Sequence, residues 1–215
     1  LNTPGGSVSV MSEMITAIGN SKVPVVIYVS PKDAQAASAG ALITMAGHAS
    51  AMSPRTVIGA ASPIDSSGAD IESTLEKKIK EDLKAKARTL VERRGPDAIQ
   101  LAEAMIDDAK AATAKESLDA KLIDFISDDT EDLLQSLNGF TVQMDSGLHT
   151  FNTTDVRIQD LNISFIEQLL LMLTDPNIAF LLLAIGVQGV LIEISSPGGW
   201  FAGFPYSLPG FSGKY

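Results

Sequence analysis

The sequence contains no cysteine and only two histidines, His48 and His149. The lack of cysteine excludes a disulfide framework, a zinc site built on thiolates and a cysteine nucleophile from this chain. It does not by itself identify a cellular compartment. Any catalytic scheme must therefore use these two imidazoles or use none.

Positive charge is also scarce. The chain has 16 Lys and Arg residues against 26 Asp and Glu residues, which gives a formal net charge of -10. The basic residues fall mostly between Lys77 and Arg94, where acidic residues separate them. Proteins that bind nucleic acid usually carry a surplus of positive charge to neutralise phosphates. The charge balance therefore argues against a nucleic-acid partner.

Long hydrophobic runs are few, and the apolar run from Ile178 to Ile192 is interrupted only by Gln188. This run is shorter than the roughly 20 residues that span a bilayer, although the preceding "FIEQLLLMLTDP" could lengthen it. It predicts either a transmembrane segment or a buried core helix. The tail that follows carries aromatic residues of the kind found at membrane interfaces, namely Trp200, Phe201, Phe204 and Tyr206.

Composition divides the chain into three parts. Residues 1–127 alternate short apolar runs such as "VPVVIYVS" with helical patterns such as "SVSVMSEMITAIGNS", which predicts an α/β domain. Because the sequence begins with "LNTPGG", the end of a strand entering a turn, we expect the domain to lack its first segment. Residues 128–163 are polar, with short strand-like runs at "FTVQM" and "VRIQDLNI", and predict a linker. Residues 164–215 form the apolar C-terminal part.

The stretch "AASAG", residues 36–40, surrounds Ser38 with small residues just before a buried helix pattern, "ASAGALITMAGHAS". A serine hydroxyl is a weak nucleophile until a neighbouring base accepts its proton. His48 would lie on the same helix, roughly 15 Å further along, which is too far for contact. His149 falls in the polar stretch, where a solvated imidazole is expected. Neither histidine is a convincing base.

A lysine can act as the base when burial in an apolar pocket lowers its pKa. The amphipathic pattern from about Ile71 to Arg93 predicts a helix rich in lysine. The same pattern is typical of a solvated helix face with ion pairs between neighbouring turns, and it does not select one lysine. The candidates are Lys77, Lys78, Lys80, Lys84 and Lys86.

The stretch "TPGG", residues 3–6, is suited to an oxyanion hole, in which backbone N–H groups bind the oxygen that becomes negative during attack. Gly5 and Gly6 have no Cβ, so the backbone there can approach a substrate and adopt unusual dihedral angles. The helix pattern that follows directs its N-terminal N–H groups to the same place. Taken alone, Pro-Gly-Gly is also a common turn.

Residues 1–64 resemble the Clp-like serine protease domain of the NfeD family, whose members are membrane-bound partners of stomatin-like proteins. The resemblance rests on "TPGG", the "ASAG" serine, "AMSPRTVIGAASPI", "TAKESLDAKLID" and "LTDPNIAFLLLAIGVQGVLIEISSPGG", and so covers most of the chain. It implies a Clp/crotonase fold, a spiral of βαβ units in which the serine begins a buried helix. Residues 164–215 are similar to the start of that family's membrane region, which implies a transmembrane segment there.

The resemblance also implies roles for individual residues. Clp proteases place a histidine in the strand after the serine helix, but the matching stretch here, "TVIGAASPI", has none. NfeD-type proteases use a lysine instead. Matching the Lys-Ile pair that precedes "TLVERRGPD" makes Lys78 the base for the nucleophile Ser38, with Lys77 as the nearest alternative. The implied oxyanion hole consists of backbone N–H groups of Gly5 or Gly6 and Ala39.

The implied reaction is hydrolysis of a peptide bond through an acyl-enzyme, without a metal or cofactor. The implied substrates are hydrophobic peptide segments, including those of a stomatin-like partner. A homodimer in a prokaryotic cell membrane, with an extracytoplasmic protease domain, is also implied. Two alternatives stay open: a crotonase-type acyl-CoA enzyme, which needs no serine nucleophile, and a non-catalytic membrane scaffold that binds a stomatin-like protein.

Overall fold

The computed structural model describes residues 1–63, 73–161 and 164–195. They belong to two compact units, Leu1–Val156 and Arg157–Tyr215. The helices of the first unit are α1 (Val8–Gly19), α2 (Ala39–Ala46), α3 (Ser73–Val91), α4 (Pro96–Asp107), α5 (Ala114–Asp119) and α6 (Thr130–Leu137). Its strands are β1 (Val26–Val29), β2 (Gln35–Ala37), β3 (Ala49–Met52), β4 (Val57–Gly59), β5 (Ala111–Thr113), β6 (Phe125–Ile126), β7 (Thr141–Met144) and β8 (Gly147–Thr150).

The described residues of the first unit form two three-stranded sheets and a two-stranded sheet of β7 and β8. The first has the order β1-β3-β6 with all strands parallel, and the second has the order β2-β4-β5 with only β5 antiparallel. The first residues of the chain extend the second sheet, since Thr3 pairs in parallel with Ala36. The parallel pairs are joined through helices, as expected when apolar runs alternate with amphipathic helices. The α/β prediction agrees with this architecture.

Helix α2 lies at the centre of the core. Every residue from Ala39 to Met45 is buried, and α1, α3 and β2 pack around it. Small side chains make this possible, because they let neighbouring backbones approach closely. The pattern "ASAGALITMAGHAS" predicted a longer helix. In the structure α2 ends at Ala46, and the last two residues of the pattern, Ala49 and Ser50, belong to β3.

Local signals explain where the neighbouring helices begin. The Ser7 hydroxyl caps α1 by accepting a hydrogen bond from the Val10 N–H. Pro96 occupies the first turn of α4 directly after Gly95, whose φ of 99° ends the preceding turn. Helix α3 matches the predicted amphipathic helix from Ser73 onward, and Ile71, where that prediction began, lies outside the described residues.

The structure differs from the predicted linker over residues 128–163. Helix α6 and the hairpin β7–β8 pack against β3, with Leu133, Leu137, Val142 and Met144 buried beside Ala49 and Ala51. Side chains of β7 alternate between exposed and buried, so its outward polar residues dominated the composition of the stretch. The second strand-like run, "VRIQDLNI", forms no regular element over its described residues.

The described residues of the second unit form two apolar helices, α7 (Phe165–Thr174) and α8 (Pro176–Ser195). A capping box formed by Ser164 and Glu167 starts α7. Among residues 1–63, 73–161 and 164–195, no single helix is long and apolar enough to cross a membrane. The segments Phe165–Leu173 and Ile178–Ile192 together meet that requirement by length and composition, with a bend of 71° between them. The aromatic tail residues lie outside the described residues.

Candidate active site

Ser38 occupies the sharp turn between β2 and α2, where its backbone has φ 53° and ψ -120°. A residue with a Cβ is disfavoured in this region, so the surrounding structure must hold it there. The Ser38 N–H donates to the Gly59 carbonyl at 2.8 Å, and the Ser38 carbonyl accepts from the Ala41 N–H at 3.0 Å. The turn leaves the serine side chain half-buried at the start of a buried helix.

The stretch "TPGG" lies directly against this serine. A Cβ added to Gly5, whose φ is 137°, would lie 2.8 Å from the Ser38 Cβ and 3.3 Å from its Oγ. A Cβ added to Gly40, two residues after the serine, would lie 2.6 Å from the Thr3 Cγ2. The small residues around Ser38 are therefore needed because two backbone segments meet at its side chain.

The candidate oxyanion donors are not equivalent. The Gly5 N–H donates to the Thr3 Oγ1 at 3.1 Å, so a hydrogen bond within the loop already uses it. In the described part of the chain, the N–H groups of Gly6 and Ala39 have no acceptor. This arrangement favours Gly6 and Ala39 as the pair that could bind a developing oxyanion. The sequence reasoning missed the contribution of Thr3, although its hydroxyl within "TPGG" was a visible signal.

A small cavity of about 80 Å³ opens beside Ser38. Both candidate donor residues, Gly6 and Ala39, line it. The remaining lining residues are Val8, Met11, Leu42, Ala61, Pro63 and Leu83. Sequence patterns could not place Leu83 here, because its position depends on how α3 packs against α2.

Lys78 lies near the beginning of α3 with an exposed side chain. It makes no hydrogen bond or ion pair with any described residue, and no hydrogen bond joins it to Ser38. Leu83 marks the side of α3 that faces the serine cavity. At 3.6 residues per turn, Lys78 lies about 140° around the helix from Leu83, and Lys80 about 60°. In this arrangement the Lys78 side chain is exposed and does not lie in an apolar pocket.

Three other lysines of α3 are engaged by acidic residues. Lys80 pairs with Glu76 and Lys86 pairs with Asp82. The Lys84 side chain, 16% exposed, binds both Glu81 and Asp107, and these hydrogen bonds raise the pKa of Lys84 above its ordinary value. A raised pKa opposes a role as general base. Of the five candidates, only Lys77 and Lys78 lack an acidic partner within the described ranges.

The two histidines lie away from Ser38. His48 follows the opposite end of α2, where its Nδ1 accepts a hydrogen bond from the Val25 N–H at 3.0 Å. Burial, with a smaller effect of the Arg93 charge, lowers the pKa of His48 below its ordinary value. His149 is exposed on β8 and packs edge-on against Phe151. Among the described residues, neither imidazole makes a hydrogen bond with the candidate nucleophile.

Residues 1–161 match the family described as NfeD1b, N-terminal domain. The chain belongs to this family. The resemblance that the sequence motifs indicated is thereby confirmed. The stretches that carried it, "TPGG" and "ASAG", are the ones that meet around Ser38 in the structure.

Two curated relatives are similar over nearly the whole chain. Membrane-bound protease PH1510 of Pyrococcus horikoshii is 36% identical over 203 residues, which cover 92% of this chain and 45% of that protein. Membrane protein NfeD1b of Bacillus subtilis is 28% identical over 219 residues, covering 99% of this chain and 45% of that protein. The chain thus spans less than half the length of these relatives.

Solved structures with the same fold describe a protease. A lysine-to-alanine mutant of the 1510-N membrane-bound stomatin-specific protease, in complex with a substrate peptide, matches with a TM-score of 0.72 and 34% identity, over 79% of this chain and 78% of that one. A serine-to-alanine mutant matches with a TM-score of 0.69 and 34% identity, over 76% and 80% of the two chains. The 1510-N membrane protease specific for a stomatin homolog from Pyrococcus horikoshii matches with a TM-score of 0.66 and 30% identity, over 81% and 80%. These matches confirm the α/β fold.

Proposed function

We propose that this chain carries the protease domain of a membrane-associated serine endopeptidase that cleaves hydrophobic segments of a stomatin-like partner. The observation that carries the proposal is the geometry of Ser38, a serine with positive φ on a strand-to-helix turn beside "TPGG". Such a turn exposes a hydroxyl next to backbone N–H donors, which is the requirement of acyl transfer. The similar proteases, with their replaced serine and lysine, support the same chemistry.

In this mechanism the Ser38 Oγ attacks the scissile carbonyl while Lys78 accepts the hydroxyl proton. The carbonyl oxygen becomes negative and is bound by the N–H groups of Gly6 and Ala39. Lys78 then donates the proton to the leaving amine, which departs and leaves an acyl group on Ser38. Finally Lys78 takes a proton from water, and the resulting hydroxide attacks the acyl carbonyl. Lys78 returns the proton to the Ser38 Oγ as the ester bond breaks, which releases the acid and regenerates the serine.

The number of residues between the replaced serine and lysine in the similar proteases reduces the candidates for the base to a few lysines of α3. The serine and lysine replaced there are one position further apart than Ser38 and Lys78. The same spacing counted from Ser38, with no gap between the two sequences, leads to Ile79, whose side chain cannot accept a proton. A gap of one residue leads to Lys78 or to Lys80, and the ion pair of Lys80 with Glu76 favours Lys78. Lys77 needs a longer gap.

Lys78 must be covered before it can act. Because its side chain is exposed here, we propose that bound substrate or the second copy of a homodimer covers it and removes water from it. We further propose that the α/β fold is the Clp/crotonase spiral. We also propose that the segment Ile178–Ile192 enters the membrane and that the protease domain lies on the extracytoplasmic side.

The test compares cleavage of a hydrophobic peptide by the full-length protein and by Ser38→Ala and Lys78→Ala. Members of one catalytic unit fail together, so each variant should lose at least about a thousandfold in kcat. Lys77→Ala and Lys80→Ala are the matched controls, and both should keep activity. A fluorophosphonate probe should label the wild type and spare Ser38→Ala.

Each other outcome has a distinct meaning. Loss of activity in Lys77→Ala or Lys80→Ala, with Lys78→Ala active, would reassign the base. Robust peptide cleavage by Ser38→Ala would refute the serine mechanism and favour the acyl-CoA alternative, whereas a wild type that neither cleaves nor reacts with the probe would favour a scaffold.

A further inference from the structure

The cavity beside Ser38 has apolar walls that are part of the hydrophobic core. Met11 from α1, Leu42 from α2 and Leu83 from α3 all line it, and each is buried, with Leu83 only 4% exposed. Core side chains are packed as densely as organic crystals and do not give way easily. The shape of this cavity is therefore set by side chains that are themselves held in place.

Attack by Ser38 would bring a substrate side chain to this cavity. Gly6, Ala39 and Ser38 line it together. A carbonyl carbon within reach of Ser38, with its oxygen between the two candidate N–H donors, carries its α carbon only one bond away. The substituent of that α carbon therefore starts at this cavity. This step rests on the proposed function, because it assumes attack by Ser38.

The volume limits the size of that substituent. A cavity of about 150 Å³ lined by leucine, isoleucine and phenylalanine is enough to bind benzene. The cavity here measures about 80 Å³, roughly half of that. A methyl or isopropyl group fits, whereas a phenyl ring does not. The apolar lining also disfavours a charged or strongly polar side chain, which would lose its hydration.

We infer that the residue whose carbonyl Ser38 attacks is a small aliphatic one, alanine or valine, and that Leu83 sets this size limit. Among the three core walls, Met11 and Leu42 belong to the helices that follow Gly6 and Ser38, so changing them also moves the reacting groups. Leu83 reaches the cavity from α3 alone. It is therefore the wall that can be changed while the serine turn is kept.

The experiment uses the full-length protein and a series of acylated peptide para-nitroanilides. The nitroanilide fixes the bond that is cleaved, and the residue before it is alanine, valine, leucine or phenylalanine. For the wild type, kcat/KM for alanine and valine should exceed that for phenylalanine by at least about 100-fold, since each excluded carbon costs about tenfold or more. The same rates are then measured for Leu83→Ala.

Leu83→Ala should raise the phenylalanine-to-valine ratio of kcat/KM at least about tenfold. Leu101→Ala is the matched control, because Leu101 is a buried leucine of α4, 7% exposed, that does not line this cavity. It should leave the ratio unchanged. Truncating a buried leucine also weakens the fold, so Leu83→Val provides a milder enlargement, and circular dichroism verifies that each variant is folded.

The outcomes separate the two proposals. Cleavage that depends on Ser38 but shows the same ratio in Leu83→Ala, Leu83→Val and the wild type would overturn the size limit and leave the protease intact. A wild type that prefers phenylalanine would do the same. No Ser38-dependent cleavage of any member of the series, together with no labelling by the fluorophosphonate probe, would overturn both.

Discussion

Ser38 and Lys78, the two residues proposed to react together, lie in opposite kinds of surroundings. Ser38 is held by backbone hydrogen bonds to Gly59 and Ala41 and by contact with Gly5. Lys78 is exposed and has no partner among the described residues. The proposed nucleophile and its proposed oxyanion donors are thus brought together within the fold of one chain, whereas the proposed base still needs an apolar cover.

The difference indicates which step is open to regulation. A group whose position is enforced by packing contributes the same geometry whether or not a substrate is present. An exposed side chain such as that of Lys78 acquires apolar surroundings only when another molecule covers it. Substrate binding or assembly of two copies would then control the proton acceptor rather than the serine.

Among the substitutions around Ser38, Gly5→Ala is expected to lower the free energy of unfolding the most. The new Cβ would meet the Ser38 Cβ at 2.8 Å, and alanine is strained at a φ of 137°. We expect a loss of about 1–3 kcal/mol in the free energy of unfolding, measured by denaturant titration. Gly6→Ala, whose Cβ meets nothing within 4 Å, should change it by less than about 0.5 kcal/mol. Equal effects of the two substitutions would contradict the tight contact at Gly5.

An intermediate effect on the free energy of unfolding is expected from the titration of His48. A variant of this residue also tests whether cleavage needs a histidine. Its lowered pKa means that the folded state holds the neutral ring, which faces Arg93 and Asp145. Below the ordinary pKa of about 6.5, His48 of the unfolded chain binds a proton more readily than His48 of the folded chain does. Stability should therefore decrease as pH falls from about 7 to 5, by at most about 1.4 kcal/mol per pH unit.

The variant His48→Asn should remove this contribution, because an amide oxygen can accept from the Val25 N–H without titrating. Urea titrations of both proteins at several pH values measure the difference. Peptide cleavage by His48→Asn should persist at neutral pH. A parallel pH dependence of the two proteins would show that His48 does not titrate on unfolding, and loss of cleavage in the folded variant would return a histidine to the mechanism.

The smallest effect compares the two catalytic candidates by stability alone. Ser38→Gly relieves a dihedral angle that only glycine adopts freely, so it should raise the free energy of unfolding by about 0.5–1 kcal/mol while cleavage is lost. Lys78→Ala, at an exposed helix position, should stay within about 0.5 kcal/mol of the wild type while cleavage is also lost. A higher free energy of unfolding for Lys78→Ala, with that of Ser38→Gly equal to the wild type, would contradict the strain assigned to Ser38.

Sequence patterns were informative where local chemistry decides structure. The helix of "SVSVMSEMITAIGNS", the strand in "VPVVIYVS" and the helix before "RRGPD" follow from periodicity and punctuation by glycine, asparagine and proline. The stretch "TPGG" could be proposed as an oxyanion hole for Ser38, because a serine nucleophile needs backbone N–H donors and glycines let the backbone approach a substrate. Family resemblance then linked them in one site.

Patterns failed where tertiary packing decides. The polar surface of β7 hid Val142 and Met144, which form a second small core with Ala49. The direction in which a lysine of α3 points depends on how that helix is rotated against α2, and no local signal encodes that rotation. The lysine assignment therefore stays a prediction, whereas the serine turn has a structural explanation.

The backbone of Ser38 also bears on how this position evolves. At φ 53° and ψ -120°, selection for folding alone would replace serine by glycine, since glycine adopts such angles without strain. A lineage that no longer needs the hydroxyl should therefore drift toward glycine at this position. Under the proposed mechanism, retention of serine at this position records continuing selection for its hydroxyl, and replacement by glycine marks a member that no longer cleaves peptides.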